Sequence, residues 1–97
     1  MSRRTIDFDP GAWLGDAGLR LCSIPARGLW IEMLCLMHKG ERYGYLQLGG
    51  KPIEAVQLSK IVGASDALVF DWMAELEANH VFSRDDKGVI YSRRMAR

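Results

Sequence analysis

Few side chains in this 97-residue sequence could do chemistry beyond carrying charge. His38 and His80 stand 42 positions apart, each where a helical stretch ends. A cation there is favoured by the negative end of the helix dipole, which points to surface roles. Cys22 and Cys35 are thirteen positions apart in apolar helical sequence. A structural zinc site needs paired short spacings of the C-x2-C kind, and none is present. Both cysteines therefore read as buried, reduced thiols, and no metal site is expected. Asp85-Asp86 is a carboxylate pair, but it sits in turn sequence with no further ligand types around it. The sequence has no glycine-rich phosphate loop, no H-E-x-x-H and no serine-centred nucleophile elbow. The expectation is a protein that is not an enzyme, with no cofactor and no small-molecule substrate.

Charge placement is more informative. The net charge is only +1, yet residues 1–80 hold eight Lys or Arg against ten Asp or Glu, and residues 81–97 hold five against two. A slightly acidic body thus ends in a basic tail. Arg84 and Lys87 fall at the tip of an expected hairpin, and Arg93 and Arg94 leave its second strand. Lys51 and Lys60 would flank a helical pair on the same side. Such a set would hold DNA phosphates without reading sequence, and its binding would fall steeply with salt. The competing reading is a solvated hairpin, partly neutralised by Asp85 and Asp86.

Residues 65–79 have the opposite character, with Asp66, Asp71, Glu75 and Glu77 and no Lys or Arg. A face made of Phe70, Asp71, Ala74 and Glu75 would repel a polyanion. It suits a protein partner better, either a phage or host protein or a second copy of the chain.

The elements that must position these residues follow from periodicity and turn chemistry. Asp9-Pro10-Gly11 is a stop, followed by a short helix over about 12–21 with Trp13, Leu14, Ala17 and Leu21 at helical spacing. Ser23 and Pro25 open a helix over about 25–39. Its apolar face is Ala26, Leu29, Trp30, Met33, Leu34 and Met37, and Gly40 stops it. Tyr43 to Leu48 alternates as a strand, which would set Tyr43 and Tyr45 on one face, and Gly49-Gly50 closes it. A helix over about 53–62 would bury Ile53, Val56, Leu58, Ile61 and Val62. After Gly63-Ala64, Ser65 caps a helix over about 66–79 whose core side is Leu68, Val69, Trp72, Met73 and Leu76. Two short strands, 81–84 and 89–93, flank the hairpin turn Asp85-Asp86-Lys87-Gly88.

Helix, helix, strand, helix, turn, helix and hairpin make a winged helix-turn-helix with an extra N-terminal helix. The lone strand would join the hairpin in a three-stranded antiparallel sheet. The expected class is mainly α, within α+β. A hydrophobic fraction of 48% and a charged fraction of 26% fit one globular domain over residues 1–97. Its parts are an N-terminal segment with a short helix (1–22), a core (23–93) and a frayed basic tail (94–97). Met1–Pro10 holds no apolar run, and no stretch reaches the ~20 apolar residues of a membrane span. A cytoplasmic protein without membrane contact is expected.

The run Ala26-Arg27-Gly28-Leu29-Trp30-Ile31-Glu32-Met33-Leu34-Cys35-Leu36-Met37-His38 resembles the first main helix of a known module. This module is the winged-helix domain at the N-terminus of phage and prophage replication (replisome-organiser) proteins. Tyr43-Gly44, Gly50-Lys51-Pro52, Leu58, Val62-Gly63, Glu75-Leu76-Glu77 and the ending Gly88-Val89-Ile90-Tyr91-Ser92-Arg93-Arg94-Met95 extend the likeness over about residues 24–95. The ending is its more distinctive half. The resemblance implies a part in phage or prophage DNA replication, in proteins where further domains usually follow on the C-terminal side.

Overall fold

The computed structural model describes residues 5–97. Its N-terminal helical sequence is divided in two, α1 (Pro10–Gly15) and α2 (Ala17–Arg20), where one helix had been expected. The division falls at Asp16. Its backbone is extended, and its carboxylate accepts the Leu19 N–H at 3.1 Å. A short polar side chain that competes for backbone donors ends one helix and starts the next. Asp9 caps α1 in the same way, accepting the Ala12 N–H at 3.1 Å.

α3 (Ile24–Lys39) is capped by Ser23 and ends at Gly40. Ala26, Leu29, Trp30, Met33 and Met37 are buried along one side. The far side carries Glu32, Cys35 and Lys39, all exposed. Cys35 is therefore not the buried thiol that was expected, because its helical phase sets it opposite the core stripe. Cys22 is buried and also free. Its sulfur lies 3.4 Å from the Gly18 carbonyl oxygen and 3.7 Å from that of Glu75, and burial pushes its pKa up.

β1 (Tyr45–Leu48) turns through Gly49-Gly50 into β2 (Lys51–Pro52). Both glycines have positive φ, 60° and 75°, as a two-residue hairpin turn of matching twist requires. The Glu41 carboxylate accepts both glycine N–H groups at 3.2 Å. Gly49-Gly50 thus begins a second strand where the expectation had it simply closing the first, so the sheet has four strands and not three. Pro52 sits on an edge strand, where a missing N–H costs little.

The Ile53 N–H is spent on Leu46 at 3.2 Å, so α4 starts later than expected, spanning Ala55–Val62. Its inward side is Ala55, Leu58, Ser59 and Val62, spaced three and four apart. Val56 and Ile61, expected in the core, lie outside that arc and are about half exposed. Gly63 takes a left-handed conformation, and Ser65 caps α5 (Asp66–Ala78). Val69, Met73 and Leu76 are buried, whereas Leu68 is 48% exposed and not a core residue. The buried Ser59 hydroxyl donates to the Asp66 carboxylate, fastening α4 to the start of α5.

α5 ends in a left-handed turn. The Val81 N–H reaches the Leu76 carbonyl at 3.0 Å, and the His80 N–H reaches that of Glu77 at 3.1 Å. This is a Schellman arrangement with histidine where glycine is usual, and His80 has φ of 56°. The turn sends Val81 and Phe82 into the core, at 5% and 4% exposure. Their diversion leaves the last strands shorter than expected, β3 (Ser83–Arg84) and β4 (Ile90–Tyr91).

All sheet pairings are antiparallel, in the order β2-β1-β4-β3. Helices cover one face of this sheet, giving a mixed α+β architecture. Leu46 and Ile90 from the sheet join Met33, Met37, Leu58, Val69 and Leu76 in one core cluster. The C-terminal segment is packed, not frayed. Met95 lies against the core, and the chain at Ala96 passes so close to Gly44 (φ 86°) that a side chain there would collide with its backbone.

His80→Gly should remove the left-handed penalty of a β-carbon, about 1–2 kcal/mol per residue, while leaving every backbone hydrogen bond in place. A rise in Tm of several degrees by calorimetry is expected. An unchanged or lower Tm would contradict this account of the turn.

Candidate nucleic-acid interface

Directly opposed residues of antiparallel strands share a face of the sheet. Tyr45 opposes Tyr91, which opposes Ser83 on its other side. The neighbouring row is Leu46, Ile90 and Arg84. Since Leu46 and Ile90 are buried, the tyrosine row faces away from the helices. The Tyr45 and Tyr91 rings stack with centroids 5.0 Å apart, and both are partly exposed. Arg42 lays its guanidinium 3.5 Å from the Tyr45 ring centroid, a cation on the negative face of a π system. Its other contact is an ion pair with Asp85 at 3.6 Å.

Arg93 follows Tyr91 by two residues and reaches the same side. It donates to the Ser83 hydroxyl at 2.8 Å and to the His80 carbonyl at 2.7 Å. Both acceptors are neutral, so its charge is oriented but not cancelled. Arg84 differs. It makes a two-pronged pair with Glu77 at 2.9 and 3.0 Å and also donates to Gly88. The Arg84 guanidinium holds the Glu77 carboxyl below the usual carboxylate range, and Glu77 in turn raises Arg84. Arg94 is exposed and 3.5 Å from Asp9. Lys87 is exposed in the hairpin turn.

The turn carboxylates are used unequally. Asp85 accepts the Lys87 and Val89 N–H groups at 2.9 Å each. The Val89 N–H most strongly keeps Asp85 below its ordinary pKa; desolvation opposes it, and the Lys87 N–H and Arg42 add to the lowering. Asp86 has no such contacts among the described residues.

Lys51 and Lys60 are exposed, on β2 and α4. Lys51 sits at the opposite edge of the sheet from Arg84, three strand spacings or about 14 Å across it. The expected basic set is thus spread across the sheet and not gathered at one point.

The acidic helix α5 is also less free than its sequence implies. Asp66 accepts from Ser59, and Glu77 from Arg84. Glu75 accepts from the Ser23 backbone N–H, and from its hydroxyl at 2.9 Å. Glu75 therefore fixes the start of α3, which removes it from the expected partner-facing set. Phe70 and Asp71 do face solvent, Phe70 at 65% exposure.

Sequence reasoning missed Arg42 and the Tyr45–Tyr91 stack. Tyr43 was expected beside Tyr45, but its hydroxyl is 3.0 Å from His38 Nδ1. The pairing of Tyr45 with Tyr91 depends on strand register, which no local signal in the sequence carries. An open cleft of about 1140 Å³ continues from Arg93 and Arg94 to the segment Thr5–Asp9, with Trp13 and Trp30 also lining it. Among the described residues, no cluster of His, Cys, Asp and Glu is placed to hold a metal, and no helix is long and apolar enough to cross a membrane. Comparison with family models, curated proteins and solved structures finds no significant match.

These contacts set the effect of substitution and of pH on stability. Glu75→Ala should lower the urea midpoint, with a loss of about 1–2 kcal/mol for a helix-start acceptor. Asp71→Ala should stay within about 0.5 kcal/mol of the parent protein. Glu77 has a depressed folded pKa, so its contribution is present above the unfolded value and is lost as pH falls through the folded one. The urea midpoint should therefore drop below about pH 4, and Glu77→Gln should flatten that drop.

Proposed function

We propose that this chain is a binding domain of the winged-helix type, without catalytic activity. In this reading it holds DNA through the β3–β4 hairpin and the residues after it, without reading base sequence, and serves the assembly of a phage- or prophage-type replication complex. The element order supports it, with α4 and α5 joined through Gly63-Ala64-Ser65 and β1 paired to the last strand. The observation that carries the binding reading is the charge left over at the end of the hairpin. Asp85 is occupied by the turn and by Arg42, and Asp86 offsets its neighbour Lys87, while Arg93 is exposed and has only neutral acceptors. α5, with no Lys or Arg, is a poor candidate for the major groove, where arginine and lysine usually read guanine.

Fluorescence anisotropy with a short random-sequence duplex tests this. Binding at low salt should weaken roughly 40-fold between about 50 and 200 mM salt, for about three phosphate contacts. Lys87→Ala and Arg94→Ala should each weaken it and reduce the salt slope by about one. Absence of binding at low salt, to this duplex and to a single strand alike, would overturn the proposal.

A second reading rests on Leu68 and Phe70, 48% and 65% exposed on α5. They would suit a protein partner, either a host or phage protein or a second copy. Sedimentation of the protein and of Phe70→Ser at high concentration separates the cases. A dimer abolished by Phe70→Ser would favour self-association, and a monomer throughout would count against it.

A further inference from the structure

We infer that the outward face of the sheet is a stacking platform for single-stranded nucleic acid. The inference rests on the nucleic-acid reading above and specifies which form is bound there.

The face is built from a short stack of planar groups. Arg42 lies over Tyr45, Tyr45 stacks on Tyr91, and Arg93 extends from the end of the same strand. Unpaired bases stack on aromatic rings and on guanidinium planes, whatever their sequence. The Tyr45 ring is already contacted by the Arg42 guanidinium and by Tyr91, so an unpaired base would add to the Tyr91 end of the stack. In a duplex, base faces are already occupied by their neighbours and are not free to do so. Apart from Pro52, which opposes Gln47, the remaining side chains that register places on the face are polar. Gln47 shares it by alternation along β1, and Ser83 by register. Of the large exposed apolar side chains, Phe70, Leu21 and Ile24 belong to other elements, and Leu48, at the end of β1, belongs by alternation to the row opposite the tyrosines. A protein-docking face would be expected to gather them around its anchors.

The electrostatics suit a polyanion. Arg42 is 54% exposed at its side chain although it touches Asp85. Arg93 is exposed and has no carboxylate partner among the described residues. Arg94 follows just past the end of β4, exposed and 3.5 Å from Asp9. A strand whose bases stack near Tyr45 and Tyr91 would have its phosphates within reach of Arg42 at one end and Arg93 at the other. The hydrogen bonds from Arg93 to Ser83 and His80 hold that guanidinium in place before binding, which lowers the ordering cost.

The test is anisotropy with short labelled oligothymidine and with a duplex of equal length, on the whole protein. Oligothymidine should bind more tightly than duplex. Tyr91→Leu should weaken oligothymidine about tenfold or more and leave duplex binding unchanged, while Tyr91→Phe, which keeps the ring, should bind like the parent. Arg42→Gln, at an exposed position, should weaken oligothymidine severalfold and provides a second probe if Tyr91→Leu does not fold by circular dichroism. Duplex binding without single-strand binding would overturn this inference alone. Single-strand binding indifferent to Arg42→Gln and to a folded Tyr91→Leu would also overturn it. Failure to bind both forms would overturn the function proposed above as well.

Discussion

The pairing of β1 with β4 is the constraint on which the arrangement depends. Each strand is short, and neither would persist alone in water. Held together, they bring Tyr45 and Leu46 against Tyr91 and Ile90, closing the chain from its middle to its end. That closure fixes which side chains go in. Leu46 and Ile90 complete the floor of the core under α3, with Met33 and Met37 fully buried above them. By the two-residue period of a strand, the tyrosines must then face out. A slip of one residue would reverse both faces at once, burying two phenols and exposing two aliphatic side chains. The core therefore holds the register, and the register creates the outer surface.

Around that closure, most carboxylates that could define a partner are already engaged. Ser23, Ser59 and Arg84 each take one acid from α5. The contacts at Ser23 and Ser59 set helix starts and helix packing, where a satisfied backbone or buried hydroxyl counts for more than a surface ion pair. Arg84 with Glu77 is largely solvent-exposed and adds less, though its two-pronged geometry ties the hairpin to α5. The effect on function is subtractive. Formal charge in the sequence overstates both the acidity of α5 and the basicity of Arg84, and it understates the importance of Arg93, whose partners are uncharged.

Two different surfaces remain. One is planar, aromatic and basic, on the sheet. The other is apolar with one unpaired acid, Asp71, on α5. They are made by different elements, so a nucleic acid on the first would leave the second available to a protein. The proposed role, joining DNA to another component, needs that separation. Fold alone does not choose between the two roles.

The helices of the core were legible in the sequence because their signals are local. Ser23 with Pro25, Gly63 with Ser65, and the spacing of Ala26 to Met37 act within a few residues of where they stand. The hairpin turn at 85–88 was legible for the same reason. The second strand after Gly49-Gly50 was not, since a two-residue edge strand gives no periodic pattern and Pro52 reads as a helix opener. Exposure was misjudged where phase alone decides it, as at Cys35, Val56, Ile61 and Leu68. The candidate basic residues were named correctly as basic, but their availability depends on partners up to dozens of positions away. Sequence by itself determined the helices, the turn and the unequal charge of the two ends. Only the tertiary structure decided which charges are cancelled and that Tyr45 meets Tyr91. Ion pairing and strand register are long-range choices, made by burial of the whole core and not by any short stretch of chain.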